Sequence, residues 1–173
     1  MAENIEIKAR VRDWDQLRRR ITALTGSEPE LFEQDDTFYV VPRGRLKLRL
    51  FGPGRGELIY YERSDGAFAR LSTYMVLPVE DPTTFHTLLT AALGVRGRVR
   101  KRRWLYRLGQ TRVHLDEVQE LGRFVELEYV LQPGEPYADG LRAVAELQAQ
   151  LGIADEDLQD IAYVDLYTEG ESR

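Results

Sequence analysis

The feature that most constrains this chain is a two-residue alternation that sorts charge from hydrocarbon again and again. In residues 4–11, Asn4, Glu6, Lys8 and Arg10 alternate with Ile5, Ile7, Ala9 and Val11. In Arg45–Phe51, Arg45, Lys47 and Arg49 alternate with Leu46, Leu48 and Leu50. In Val99–Leu108, Lys101 and Arg103 share a parity; in Thr111–Val118, Arg112, His114 and Asp116 do. In Phe124–Leu131, Glu126 and Glu128 oppose Val125, Leu127, Tyr129 and Leu131. A period of two places alternate side chains on opposite faces of a strand, so each segment predicts a strand with one charged and one apolar face.

Further strands are expected at Thr37–Val41, Glu57–Arg63 and Ala69–Leu77. Gly52-Pro-Gly-Arg-Gly56 reads as a hairpin loop and Ser64-Asp-Gly66 as a turn. The glycine-rich loop lacks the spacing, lysine and following helix of a P-loop. Helices punctuate the strands. Asp13 is a good N-cap, with Gln16 three residues on and Leu17, Ile21 and Leu24 at helical spacing before Gly26. Asp81 and Pro82 open a second helix that Gly94 closes. Ala138–Leu151 has helical spacing, and a short last helix is expected around Asp160–Thr168. With no linker, repeat or low-complexity stretch, residues 1–173 are expected to form a single α+β domain.

An open sheet with one solvated face would produce the same alternation. The apolar stripes of the helices must pack on the apolar side of the sheet, however. The opposite side then carries charges sorted by sign along particular strands. A sheet of seven or eight strands can close into a barrel and enclose that face. The candidate lumen holds seven basic residues (Lys8, Lys47, Arg49, Arg63, Lys101, Arg103, Arg112) and four acidic ones (Glu6, Asp116, Glu126, Glu128). Confined charges require an ionic guest. Arginine forks and lysine point charges suit a chain of phosphates. The carboxylates then call for a divalent cation between them and the phosphate oxygens. The chain has no cysteine and two histidines, which excludes disulfides and thiol chemistry and disfavours a zinc site, leaving oxygen ligands for Mg²⁺, Mn²⁺ or Ca²⁺, of which Mg²⁺ or Mn²⁺ is the expected cofactor. The net charge of −5 gives no reason to expect nucleic acid. The N-terminus lacks a signal-peptide core and no stretch has the length of a membrane span, so a cytoplasmic location is expected, and a homodimer is left open.

Together these segments resemble the CYTH superfamily, the triphosphate tunnel metalloenzymes, which includes class IV adenylyl cyclases, thiamine triphosphatases and inorganic tripolyphosphatases. The N-terminal signature of that group is Glu-x-Glu-x-Lys; here it reads Asn4-Ile-Glu6-Ile-Lys8. The resemblance continues through Leu46-Lys47-Leu48-Arg49, Tyr60-Tyr61-Glu62-Arg63, Lys101-Arg-Arg103, Val113-His-Leu-Asp116-Glu-Val118, Leu121-Gly-Arg-Phe124-Val-Glu126-Leu-Glu128 and Tyr163-Val-Asp165-Leu. It implies a closed or nearly closed eight-stranded antiparallel β-barrel, a tunnel, with helices packed outside. It also implies Glu126 and Glu128 as metal ligands assisted by Glu6 and Asp116. Phosphate would be held by Lys47, Arg49, Arg63, Lys101, Arg103 and Arg112, with Lys8 near the reacting phosphorus and Glu6 and Lys8 as the catalytic pair. Asn4 departs from the signature by one negative charge, and Glu3 lies on the opposite face, which puts a second metal in question.

Blander roles are expected for several residues. His114 reads as a hydrogen-bonding group, Arg18, Arg19 and Arg20 as a solvated helix face, Arg100 and Arg102 as outward-facing, and Trp104 and Tyr106 as packing. Arg70, Ser72 and Tyr74 share a parity that could line a tunnel. Three functions fit: hydrolysis of tripolyphosphate or an organic triphosphate such as thiamine triphosphate or ATP; cyclisation of ATP to cyclic AMP and pyrophosphate; or a non-catalytic polyphosphate- or nucleotide-binding module. The first needs only positioning, charge neutralisation and water.

Overall fold

The computed structural model describes residues 1–64 and 69–170. These form eight strands and four α-helices: β1 (Ala2–Arg10), α1 (Trp14–Thr25), β2 (Glu30–Tyr39), β3 (Arg45–Leu50), β4 (Gly56–Arg63), β5 (Arg70–Val79), α2 (Pro82–Leu93), β6 (Val95–Leu108), β7 (Thr111–Val118), β8 (Gly122–Val130), α3 (Tyr137–Leu151) and α4 (Tyr163–Gly170). The strands close into an antiparallel barrel in the order β1-β5-β4-β3-β2-β6-β7-β8. β1 completes the ring by pairing with both β5 and β8. The closed barrel, and not the open sheet, is therefore the architecture. Among the described residues no helix is long and apolar enough to cross a membrane.

The capping chemistry is local and acts as the sequence dictates. Asp13 Oδ1 accepts from the Gln16 amide at 2.9 Å, and Gly26 ends α1 in the left-handed region at φ 63°. Asp81 accepts from the Thr84 amide at 3.1 Å ahead of Pro82. The apolar parities of β1, β7 and β8 face outward and bury Ile5, Ile7, Val113, Leu115, Val125 and Leu127 beneath Leu17 and Ile21 of α1 and Val144, Leu147 and Leu151 of α3. Trp104 and Tyr106 belong to this packing: Trp104 meets Trp14 edge-on at 5.3 Å, and Tyr106 is buried. The main core thus lies outside the ring, between sheet and helices, and leaves the lumen to polar groups. Gly140 allows α3 to approach β1, because a Cβ there would come within 2.6 Å of Ile5 Cγ1.

Two strands are longer than the alternation suggested. β2 runs Glu30–Tyr39 rather than Thr37–Val41, and β6 begins at Val95 rather than Val99. The turn expected at Ser64-Asp-Gly66 falls largely outside the described residues. The last helix has a position no periodicity announced. Ala162, just before α4, and Tyr163 and Val164 at its start pack against Phe38, Val99, Val118 and Phe124, which project into the lumen. α4 therefore stoppers one end of the barrel. Gly97 makes room for it: a Cβ there would sit 2.8 Å from Val164 Cγ2.

Candidate functional site

The lumen above α4 is a cavity of about 310 Å³. Ten of the eleven charged residues assigned to the interior from sequence line it; Asp116 lies behind Arg103, fully buried. β3 and β6 bring Lys47, Arg49, Lys101 and Arg103 to one side. β1 and β8 bring Glu6, Lys8, Glu126 and Glu128 to the other, with Glu6 opposite Glu128 and Lys8 opposite Glu126 in the ladder. Ser72 and Tyr74 also face the cavity, while Arg70 reaches the backbone carbonyl of Asp160. Arg100 and Arg102 point outward. A wider groove of about 870 Å³ lies between α2, β2 and β6, and Lys101 of the charge cluster borders it as well.

Alternation missed Asp36, which organises the basic side. It is 1% exposed. Arg49 donates to it from Nε and Nη2, both at 2.7 Å, and Lys47 Nζ donates at 2.9 Å. Lys101 Nζ lies 3.9 Å away. Burial alone would raise this carboxyl, but Arg49 and Lys47 outweigh it and hold Asp36 well below the usual carboxylate range. The same burial, together with Arg49, lowers Lys47 to about 7. Lys101 is lowered too, by burial and then Arg103. Extending the strand by its own parity from Phe38 through Asp36 to Gln34 would have found this residue, since Asp36 sits opposite Arg49 in the register.

Arg103 forms the second node. It grips Asp116 bidentately at 2.7 and 2.6 Å and reaches Glu126 Oε2 at 2.8 Å. Tyr163 of α4 donates from its hydroxyl to Asp116 at 2.9 Å, so the stopper is tied to the charge network. Lys8 Nζ lies 4.2 Å from the Tyr163 ring centre and donates to the Ile161 carbonyl. Burial lowers Lys8 to about 8, against the pull of Glu126. Arg63 pairs with Glu6 at 2.9 Å, and Arg112 donates to Glu128 at 3.0 Å and to the Tyr74 hydroxyl at 3.2 Å. His114 lies between Glu126 (3.6 Å) and Glu128 (3.5 Å), and burial, then Arg103, lowers its basicity.

Asn4 donates through Nδ2 to Glu128, while its Oδ1 is buried without a hydrogen-bond partner. Glu6 is raised by burial and, after the opposing effect of Arg63, by the neighbouring Glu126 and Glu128. An orphaned amide oxygen beside crowded carboxylates is a donor set that fits a hard divalent cation. Among the described residues no three carboxylates or histidines are already drawn into a coordination cluster.

A family model, the CYTH domain, matches residues 2–163. The chain belongs to the CYTH domain family. The PH1012 protein of Pyrococcus horikoshii OT3 has a structure similar to that of this CYTH protein, with 26% identity and a TM-score of 0.84 over 94% of this chain and 98% of that one. A proposed adenylate cyclase from Vibrio parahaemolyticus is 17% identical, with a TM-score of 0.76 over 95% of this chain and 97% of the other. A proposed adenylyl cyclase from Hippeastrum, described as having a dominant triphosphatase activity, is 13% identical, with a TM-score of 0.66 over 98% and 96%. The latter two likenesses establish the shared fold. No curated protein matches the chain.

Proposed function

We propose that this CYTH protein is a metal-dependent triphosphatase that hydrolyses tripolyphosphate or an organic triphosphate in the barrel lumen. The observation that carries this reading is a partial segregation: Lys47, Arg49, Lys101 and Arg103 project from β3 and β6 on one side, and Glu6, Glu126 and Glu128, with Lys8 among them, from β1 and β8 on the other. Such an arrangement holds a polyanion by one flank and leaves the other for a cation. Phosphoryl transfer asks little else of a protein than positioning and charge neutralisation.

In this reading Lys47, Arg49, Arg63, Lys101, Arg103 and Arg112 hold phosphate oxygens. Arg49 and Arg103 are pre-oriented by Asp36 and Asp116, which spares the reorganisation that mobile side chains would need. Both oxygens of Asp116 already accept donors, so its role here is to orient Arg103. Glu126, Glu128 and Glu6, with Asn4 Oδ1, would hold Mg²⁺ or Mn²⁺, which would neutralise phosphate charge when bound. Lys8 lies in register with Glu126 and would orient the attacking water or polarise the reacting phosphorus. Water adds to phosphorus as a bridging P–O bond breaks, so tripolyphosphate gives orthophosphate and pyrophosphate with release of a proton.

Phosphorus NMR of protein with Mg²⁺ or Mn²⁺ and either tripolyphosphate or ATP tests this directly. Orthophosphate release that E126Q abolishes, with the melting curve retained, is the expected result. Cyclic AMP with pyrophosphate from ATP would replace hydrolysis by cyclisation, and binding without turnover would make the chain a triphosphate-binding module.

A further inference from the structure

The cavity has a second kind of surface at the end away from α4. β4 runs from Tyr61, which packs beside the stopper, through Ile59 to Glu57, one residue from the β3–β4 hairpin. Glu57 lines the cavity, as do Ile59 and Val76, which face each other across β4 and β5. Ile59 is buried, whereas Val76 is 45% exposed, which marks this end as the open rim.

Glu57 stands directly opposite Arg49 in the ladder, yet the Arg49 fork is turned to Asp36. The other carboxylates lining the cavity each have a cation: Glu6 has Arg63, Asp36 has Lys47 and Arg49, Glu126 has Arg103, and Glu128 has Arg112. Among the described residues no cation pairs with Glu57. An anionic acceptor beside two aliphatic side chains is a poor neighbour for phosphate, which at neutral pH offers only acceptor oxygens and negative charge. It is a good neighbour for a group with an apolar body and N–H or O–H donors or a positive charge.

We propose that the rim formed by Glu57, Ile59 and Val76 selects triphosphates carrying an organic group with hydrogen-bond donors or a cationic ring, and discriminates against inorganic polyphosphate. This rests on the triphosphate reading of the lumen and adds the class of substrate. Selection by repulsion of the competitor is a common route to specificity, because it need not strengthen the wanted contact.

The test is calorimetric binding of ATP and of tripolyphosphate, each with Mg²⁺, to the wild-type protein, E57Q and V76E. Wild type is expected to bind ATP about tenfold or more tightly than tripolyphosphate, the scale of one like-charge contact. E57Q should tighten tripolyphosphate about tenfold and shrink that preference. V76E adds a carboxylate at an exposed rim position and should weaken tripolyphosphate further. A wild-type preference for tripolyphosphate, or a preference that neither variant alters, overturns the selection while leaving the triphosphate lumen intact. Failure of wild type to bind either ligand removes both.

Discussion

At the scale of single residues, the lumen's chemistry turns on lysines that are not fully charged when the tunnel is empty. Burial and Arg49 lower Lys47 to about 7, so at pH 8 it is mostly neutral. A bound polyanion favours the ammonium form and raises that pKa again. Triphosphate binding at pH 8 is therefore expected to take up about one proton at Lys47, and little at pH 6 where the group is already charged, with affinity falling up to about tenfold per pH unit above 7. Calorimetry in buffers of different ionisation enthalpy measures the uptake. K47R keeps the charge at all these pH values and should lower uptake at pH 8 by about one proton; no uptake in wild type at pH 8 would refute the coupling. Stability of the empty protein moves in the opposite sense. Between about 7 and 10.5 the unfolded chain holds the proton that folded Lys47 has released, so this residue's cost to folding is relieved as pH rises through that window. The basic partners were legible because each alternates with leucine or lies in a clear run. Asp36 was not, since the residues preceding Thr37 offer no apolar parity to mark them as strand.

At the scale of elements, the alternation identified strands wherever one face meets the helical layer, as in β1, β3, β7 and β8. It failed where neither face does. Outward-facing Leu31 and Glu33 of β2 are exposed and Asp35 is half-buried, while inward-facing Gln34 and Asp36 are polar, so pairing with β6 rather than side-chain pattern makes this stretch a strand. The last helix was legible as a helix but not as a stopper. Its apolar residues fit a barrel end that exists only once Phe38, Val99, Val118 and Phe124 have been brought together from four strands. Tyr163 does two jobs there, filling space against Phe124 at 5.0 Å between ring centres and donating to Asp116 at 2.9 Å. The two contributions separate by substitution. Y163F removes only the hydrogen bond and should cost about 1–2 kcal/mol, because the acceptor is buried and charged. Y163A also opens a cavity and should cost about 3–5 kcal/mol. Urea unfolding of the two variants measures both. Equal losses would mean that α4 is held by its hydroxyl alone, and no loss in either would mean that it does not stopper the barrel in solution.

For the whole molecule, the order β1-β5-β4-β3-β2-β6-β7-β8 was not readable from any strand's own residues, because pairing of β1 with both β5 and β8 depends on closure. That the ring closes with its charged parity inside, however, follows from the helices having nowhere else to pack. Closure gathers into one lumen a set of cations that the molecule's overall sign does not announce. The chain carries −5, yet the cavity is lined by seven cations and five carboxylates. Folding thus holds together like charges that water would otherwise separate and screen. A ligand with several negative charges removes that cost only in the folded state, so it stabilises by mass action. At a hundred times its dissociation constant a triphosphate should add about 2.7 kcal/mol. For a chain of this length that corresponds to a melting point raised by about 5–10 °C. Sodium sulfate at equal ionic strength cannot reach Lys47 and Arg49 of β3, Arg63 of β4 and Arg112 of β7 together as a triphosphate chain can, so its shift should be smaller. Thermal melts with ATP, tripolyphosphate, sulfate and sodium chloride at matched ionic strength, with and without Mg²⁺, make the comparison. If both triphosphates shift the melt no more than sodium chloride does, the lumen's surplus of cations is not a polyanion site, and its ion pairs serve the barrel alone.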